Sequence, residues 1–226
     1  MQIGILMCGH VPEDYRQERG DLDQLFVALL QGRGFTFRTW SVVDMDFPSG
    51  ADDADGWLIT GSKHGVYDDL PFIAPLEELV RDIHAARRPL VGICFGHQII
   101  AQALGGRVEK FQGGWNIGLQ HYELDGKPVT LNAWHQDQII ELPNGAEVLG
   151  SNESCRYAMV RYGPETLSVQ AHPEFDSAYL GTLIEARAGQ VPEDKRAEAT
   201  ANLHAPTDRE MLAEMLADTL RQKAPV

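Results

Sequence analysis

Residues 89–94 read PLVGIC, and FGHQIIAQAL follows with no linker. The first run is almost continuously apolar, which suits a strand buried on both faces, as in a parallel sheet. The second changes to helical spacing over residues 96–104 and is closed by Gly105 and Gly106. A strand that passes straight into a helix fits few architectures, and the upstream sequence repeats the theme. QIGILMCG, FTFRTWSVV and GWLITGS read as three further strands. Between them, residues 21–30 carry Leu22, Leu25, Phe26, Leu29 and Leu30 at helical spacing, stopped by Gly32 and Gly34. Residues 71–87 place Ile73, Leu76, Leu79, Val80 and Ile83 on one helical face. Strands alternating with helices predict an α/β fold with a doubly wound, mostly parallel sheet.

The middle of the chain changes character. WNIGLQHYEL, PVTLNAW, CRYAMVRY and TLSVQAH are short β-like runs, separated by turn signals such as LDGKP, LPNG and RYGPET. Residues 108–170 therefore read as antiparallel hairpins extending the sheet. After Phe175 the chain becomes polar and helical in pattern. A length of 226 residues supports one sizeable core. The expected organisation is a single domain over residues 1–226, with a catalytic core at 1–175 and a helical appendage at 176–226.

Composition narrows the function. The chain is 43% hydrophobic and 23% charged, as in ordinary soluble globular proteins. Its net charge of −14 repels phosphate backbones, and the densest basic spot is only AARRP. Nucleic acid is not an expected partner. Apolar runs of membrane-spanning length are missing, and the opening MQIGILMCGH lacks the basic flank of a signal peptide. Cys8, Cys94 and Cys155 are odd in number and widely spaced, which fits neither a disulfide framework nor a CxxC metal site. The expected home is the cytoplasm, with no metal and no cofactor.

The chemistry centres on Cys94. It lies between Gly92 and Gly96 where the strand meets the helix, at the carboxyl edge where open α/β sheets bind ligands. Gly-x-Cys-x-Gly matches a nucleophile elbow with Cys in place of Ser. The helix N-terminus would favour a thiolate there, and the Phe95 N–H could receive a developing oxyanion. By itself the pattern fits a core cysteine beside helix-packing glycines about equally well. A thiolate nucleophile also needs a histidine held by a third group. SVQAHPEF supplies His172, with Glu174 two residues on; on an extended chain both side chains project to one side. Taken alone, His172 would read as a strand-end histidine satisfied by solvent. The two motifs together point to a Cys-His-Glu triad.

GICFGHQ together with AHPEF resembles the class I glutamine amidotransferase domain over about residues 2–175. The resemblance implies a triad that releases ammonia from the side-chain amide of glutamine through a γ-glutamyl thioester. It makes Cys94 the nucleophile, His172 the general acid and base, and Glu174 its orienting partner. Gln98 falls at the motif glutamine and would touch the substrate. The family's second oxyanion donor comes from a Gly-Gly-Pro loop. Here Gly61 matches its first glycine, Ser62 replaces the second and Lys63 the proline, so the donor would be Ser62. Trp134, His135, Gln136 and Asp137 fall where the family holds the substrate's α-amino and α-carboxylate ends, although an ordinary hairpin explains them equally well. Cys8 and Cys155 read as core residues, and His10, His64, His97 and His121 lack metal-ligand spacing.

The expected function is therefore glutamine hydrolysis, alone or feeding a separate synthetase subunit, since the sequence shows no P-loop of its own. A γ-glutamyl peptidase, acting on substrates such as glutathione conjugates, is the alternative. A non-catalytic regulatory module of the same fold is a third reading. Stress and glyoxalase-like proteins also use an elbow cysteine, but commonly with His directly after it; here that residue is Phe95.

Overall fold

The computed structural model describes residues 1–222. In chain order its strands are β1 (Gln2–Leu6), β2 (Thr36–Trp40), β3 (Gly56–Ile59), β4 (Leu90–Ile93), β5 (Arg107–Lys110), β6 (Asn116–Leu124), β7 (Lys127–His135), β8 (Asp137–Glu141), β9 (Ala146–Ser151), β10 (Met159–Tyr162) and β11 (Thr166–Val169). The helices are α1 (Glu13–Arg19), α2 (Leu22–Leu29), α3 (Ile73–Ala85), α4 (Phe95–Ala103), α5 (Ser177–Ala186), α6 (Glu193–Ala201) and α7 (Arg209–Leu220). Of the expected helical tail, residues 223–226 lie outside the described residues.

One nine-stranded sheet runs in the order β2-β1-β3-β4-β11-β10-β9-β6-β7. The pairs from β2 to β11 are parallel, and those from β11 to β7 antiparallel. Thus α/β alternation builds the parallel half and hairpins extend it. β11 belongs to both halves: it forms a hairpin with β10 and lies parallel beside β4.

The strands obey the two-residue period that a sheet covered on both faces requires. Ile3, Ile5, Leu58, Val91 and Ile93 join one core with Phe26 of α2, Leu180 of α5 and Leu212 and Leu216 of α7. Leu6, Trp57, Ile59 and Leu90 join the other with Leu76 and Ile83 of α3 and Ile99 of α4. Burial of Leu212, Leu216 and Leu220 is complete. Each contributes roughly 1.5–3 kcal/mol, which holds the C-terminal helix against the sheet.

Two local expectations need correction, and one helix was not expected. Not every hairpin run joins the main sheet: among the described residues β5 pairs with β8 alone, in a separate two-stranded ribbon. Val108 and Ile139 of that ribbon are buried in the core that contains Ile99 and Ile100, so packing over α4 draws it away from the sheet. The first helix, α1, has no apolar stripe to announce it; its buried anchor is Tyr15, and Glu13 and Asp14 favour its N-terminal turn. Finally, the strand before the expected oxyanion loop ends at Ile59, so Thr60, Gly61 and Ser62 are loop residues.

Candidate active site

β3, β4 and β11 are neighbours, and their carboxyl ends deliver Thr60, Cys94 and the segment leading to His172 to one edge. The elbow is tied to both sides. The Cys94 N–H donates to the Val169 carbonyl at 2.8 Å, and the Gly96 N–H donates to the Thr60 carbonyl at 3.1 Å. Cys94 itself sits at φ 53°, ψ −100°. Backbone strain of this kind costs of order 1–3 kcal/mol for a residue with a Cβ and persists only where the surroundings enforce it. The flanking glycines follow from space. A Cβ on Gly92 would lie 2.5 Å from the Gly96 oxygen, and one on Gly96 would lie 2.3 Å from the Ile59 oxygen. The Gly-x-Cys-x-Gly spacing is thus what a sharp strand-to-helix turn packed on β3 demands.

His172 is buried beside this turn. Its Nδ1 lies 2.7 Å from Glu174 Oε1, and the Cys94 sulfur is near enough to influence the same ring; with Nδ1 on the carboxylate, Nε2 is the nitrogen left for the sulfur. The two residues meet through a tight turn rather than along an extended strand. β11 ends at Val169, and the Phe175 N–H closes the turn on the His172 carbonyl at 3.3 Å. The Phe175 ring then stacks on the imidazole, centroids 3.9 Å apart and planes within 10°. Burial opposes a charge on His172, but the Glu174 carboxylate and the Cys94 sulfur outweigh it and push the imidazole up to about 10. Glu174 is buried, and its Oε2 has no partner among the described residues.

Residues that the sequence gave no reason to single out brace the turn. β7, at the far edge of the sheet, curls back so that the Asn132 carbonyl accepts the His172 N–H at 2.8 Å. Asn132 Nδ2 donates to the Phe175 carbonyl at 3.3 Å. From the start of α7, Arg209 Nε donates to the Pro173 carbonyl at 3.1 Å. None of these contacts follows a sequence motif, because each depends on elements far apart in the chain.

The loop after β3 lies directly against this pair. A Cβ on Gly61 would meet His172 Cε1 at 3.1 Å and Cys94 Cβ at 3.8 Å. Thr60 locks the loop: its hydroxyl accepts the Cys8 N–H at 3.0 Å and donates to the Gly61 carbonyl at 2.9 Å. Backbone N–H groups of Ser62 and Phe95 take no acceptor among the described residues. Cys8 and Cys155 have their thiols pushed up by burial, Cys155 to about 12, which leaves them neutral.

A cavity of about 350 Å³ opens in front of Cys94 and His172. Gly61, Ser62, Gln98, Trp134, His135, Gln136 and Asp137 all line it, so the structure brings these candidates together. Phe95 stays in the core and offers only its backbone. Gln98 faces inward more than expected: its Nε2 donates to the Asp137 carbonyl at 2.8 Å and to Gln170 Oε1 at 3.0 Å. It therefore fixes the β7–β8 corner on α4. Burial pulls His135 down to about 3, with His172 adding to the effect, so His135 is neutral near pH 7. The half-buried Asp137 carboxyl is raised by burial, against a hydrogen bond from Tyr67 and the charge of Lys110. Tyr67 and Lys110 also line the cavity and were not legible as site residues.

A family model described as glutamine amidotransferase class-I matches residues 34–187. The chain belongs to the class I glutamine amidotransferase family. A glutamine amidotransferase-like protein of Schizosaccharomyces pombe is 29% identical over 218 residues, covering 86% of this chain and 88% of that protein. Gamma-glutamyl peptidase 3 of Arabidopsis thaliana is 28% identical over 190 residues, 76% of each chain. Among solved structures, a glutamine amidotransferase from Methylobacillus flagellatus superposes with a TM-score of 0.75 at 21% identity, covering 97% of this chain and 91% of that one. That likeness establishes the shared amidotransferase fold. No helix among the described residues is long and apolar enough to cross a membrane.

Proposed function

We propose that this amidotransferase-family chain hydrolyses γ-glutamyl amide bonds through a thioester on Cys94. The supporting observation is the buried His172, its Nδ1 on the Glu174 carboxylate and its ring beside Cys94, at the carboxyl edge of the sheet. A raised imidazole beside the sulfur fits a thiolate–imidazolium pair. The sulfur attacks the γ-carbonyl carbon, and the developing oxyanion takes the Phe95 and Ser62 N–H groups. His172 gives its proton to the leaving nitrogen as the carbon–nitrogen bond breaks. Water, deprotonated by the now neutral His172, attacks the thioester, and sulfur leaves as thiolate. The sum is amide plus water giving glutamate plus ammonia or an amine.

The corner formed by Trp134, His135, Gln136 and Asp137 is the proposed holder of the glutamyl α-groups, with the Asp137 carboxylate, assisted by Tyr67, facing the ammonium. Gln98 supports that corner from behind. Glutamine and γ-glutamyl peptides share this end and differ only in the leaving group. A separate synthetase as ammonia acceptor belongs to the glutamine version. The assembled triad favours an enzyme over a regulatory module. Glutamate release from glutamine and from γ-glutamyl dipeptides, by the purified chain and its Cys94→Ala variant, tests the proposal. Turnover that survives in Cys94→Ala refutes it.

A further inference from the structure

The cavity continues past His172, and its far wall has a distinct make-up. Tyr179, Leu183 and Arg187 line it, four residues apart on α5 and its C-terminal cap. At 1.5 Å per residue they form a stripe about 12 Å long. Phe175 leads into the stripe, stacked on His172 on one side and meeting the Tyr179 ring at 4.6 Å between centroids on the other. Pro12 and Leu22 also line this apolar passage. Arg187 ends it. One guanidinium nitrogen donates to Gln190 Oε1 at 3.2 Å, and no carboxylate pairs with the group among the described residues. Arg33, Arg81, Arg88 and Arg221 have carboxylate partners; Arg38, Arg156 and Arg209 are engaged by an aromatic ring or a carbonyl instead and lie away from the cavity lining, which Arg187 joins. In a chain of net charge −14, a guanidinium without a carboxylate partner on a cavity wall is available to an anion from outside.

Chemistry fixes which part of a substrate would reach this wall. A general acid must sit within hydrogen-bond reach of the nitrogen it protonates. Whatever that nitrogen carries therefore extends on the His172 side, towards Phe175 and the α5 stripe. Ammonia would leave the stripe unused. Resting on the γ-glutamyl chemistry proposed above, we infer that the stripe is a leaving-group subsite: Tyr179 and Leu183 pack the body of a departing amino acid or short peptide, and Arg187 takes its carboxylate. The substrate class is then a γ-glutamyl peptide with a free C-terminal carboxylate, ahead of glutamine. Arginine suits the task because its planar fork matches a carboxylate in two-point contact.

The test compares kcat/KM for γ-glutamyl-leucine, for the same compound with its C-terminus amidated, and for glutamine. A hydrogen-bonded contact to a half-exposed charge predicts that the intact enzyme prefers the free acid over the amide by about ten-fold. The preference lies in KM. It falls towards one in Arg187→Gln and is partly kept in Arg187→Lys. A ratio near one in the intact enzyme overturns the subsite, and so does a ratio undiminished in a folded Arg187→Gln variant. Hydrolysis of glutamine with neither peptide cleaved also overturns it, while the γ-glutamyl chemistry stands. Failure to release glutamate from any of the three overturns that chemistry itself. Because the intact enzyme's ratio already decides, a variant that does not fold leaves the test in force.

Discussion

Replacing Glu174 by Gln keeps the shape of the side chain and removes its charge. In the intact protein Glu174 Oε1 meets His172 Nδ1 at 2.7 Å in a buried setting, and Glu174 is the foremost of the influences that raise the imidazole to about 10. A hydrogen bond to a charged group contributes roughly 1.5–3 kcal/mol, and a pKa unit corresponds to about 1.36 kcal/mol. Loss of the charge should therefore lower the His172 pKa by about one to two units. The amide also puts its NH2 or its oxygen where Oε2 now has no partner, so no compensating bond forms among the described residues. Even so lowered, the imidazole stays largely protonated near neutral pH, so the loss acts through a weaker hold on the ring and on its charge during the reaction: kcat/KM should fall roughly ten- to a hundred-fold, less than for His172→Ala, and its alkaline limb should move down by the same one to two units. The assay is a pH profile of kcat/KM with nitrogen NMR of the His172 ring. An unshifted imidazole, or full activity in Glu174→Gln, would refute the coupling.

Other consequences follow from the same geometry. Gly96→Ala places a Cβ 2.3 Å from the Ile59 oxygen, so it should cost about 1–3 kcal/mol in denaturant unfolding and remove activity by displacing the elbow. Arg209→Ala frees the Pro173 carbonyl; kcat should drop several-fold with KM little changed, and equal changes in both would count against a positioning role. Leu216→Ala, in the fully buried stripe of α7, should cost about 2–5 kcal/mol by chemical denaturation. His97 and His135 are both held near 3 by burial, below the ordinary unfolded value of 6.5. Their contribution is present above pH 6.5 and is lost as pH falls towards 3, so Tm should decline through that window, and less steeply in His97→Asn.

What the sequence disclosed was local. The apolar run before Cys94, the helical spacing after it and the two glycines describe an elbow whose reason is steric and confined to a few residues. Parallel alternation in the first half was legible for the same reason: buried strands and one-faced helices write their environment into residue spacing. The site's support was not legible. Asn132 and Arg209 reach the His172 turn only because β7 curls back and α7 begins beside it. Glu174 was rightly paired with His172 in space, but an extended strand was the wrong geometry, since the turn closed by Phe175 sets their contact. The ribbon of β5 and β8 escaped because alternation reveals a strand's buried face without naming its partner, and Val108 and Ile139 pack over α4. Arg187 carried no motif; only the cavity wall and the lack of a carboxylate beside it draw notice.

The most direct measurement is to trap the covalent intermediate. The protein is mixed with γ-glutamyl substrate, quenched in acid during turnover, digested and mapped by mass spectrometry. The triad chemistry predicts one glutamyl group on the peptide containing Cys94, lost on incubation at neutral pH and absent from Cys94→Ala. Glutamyl groups on Cys8 or Cys155, or turnover in which Cys94 stays free while His172→Ala retains full activity, would contradict it.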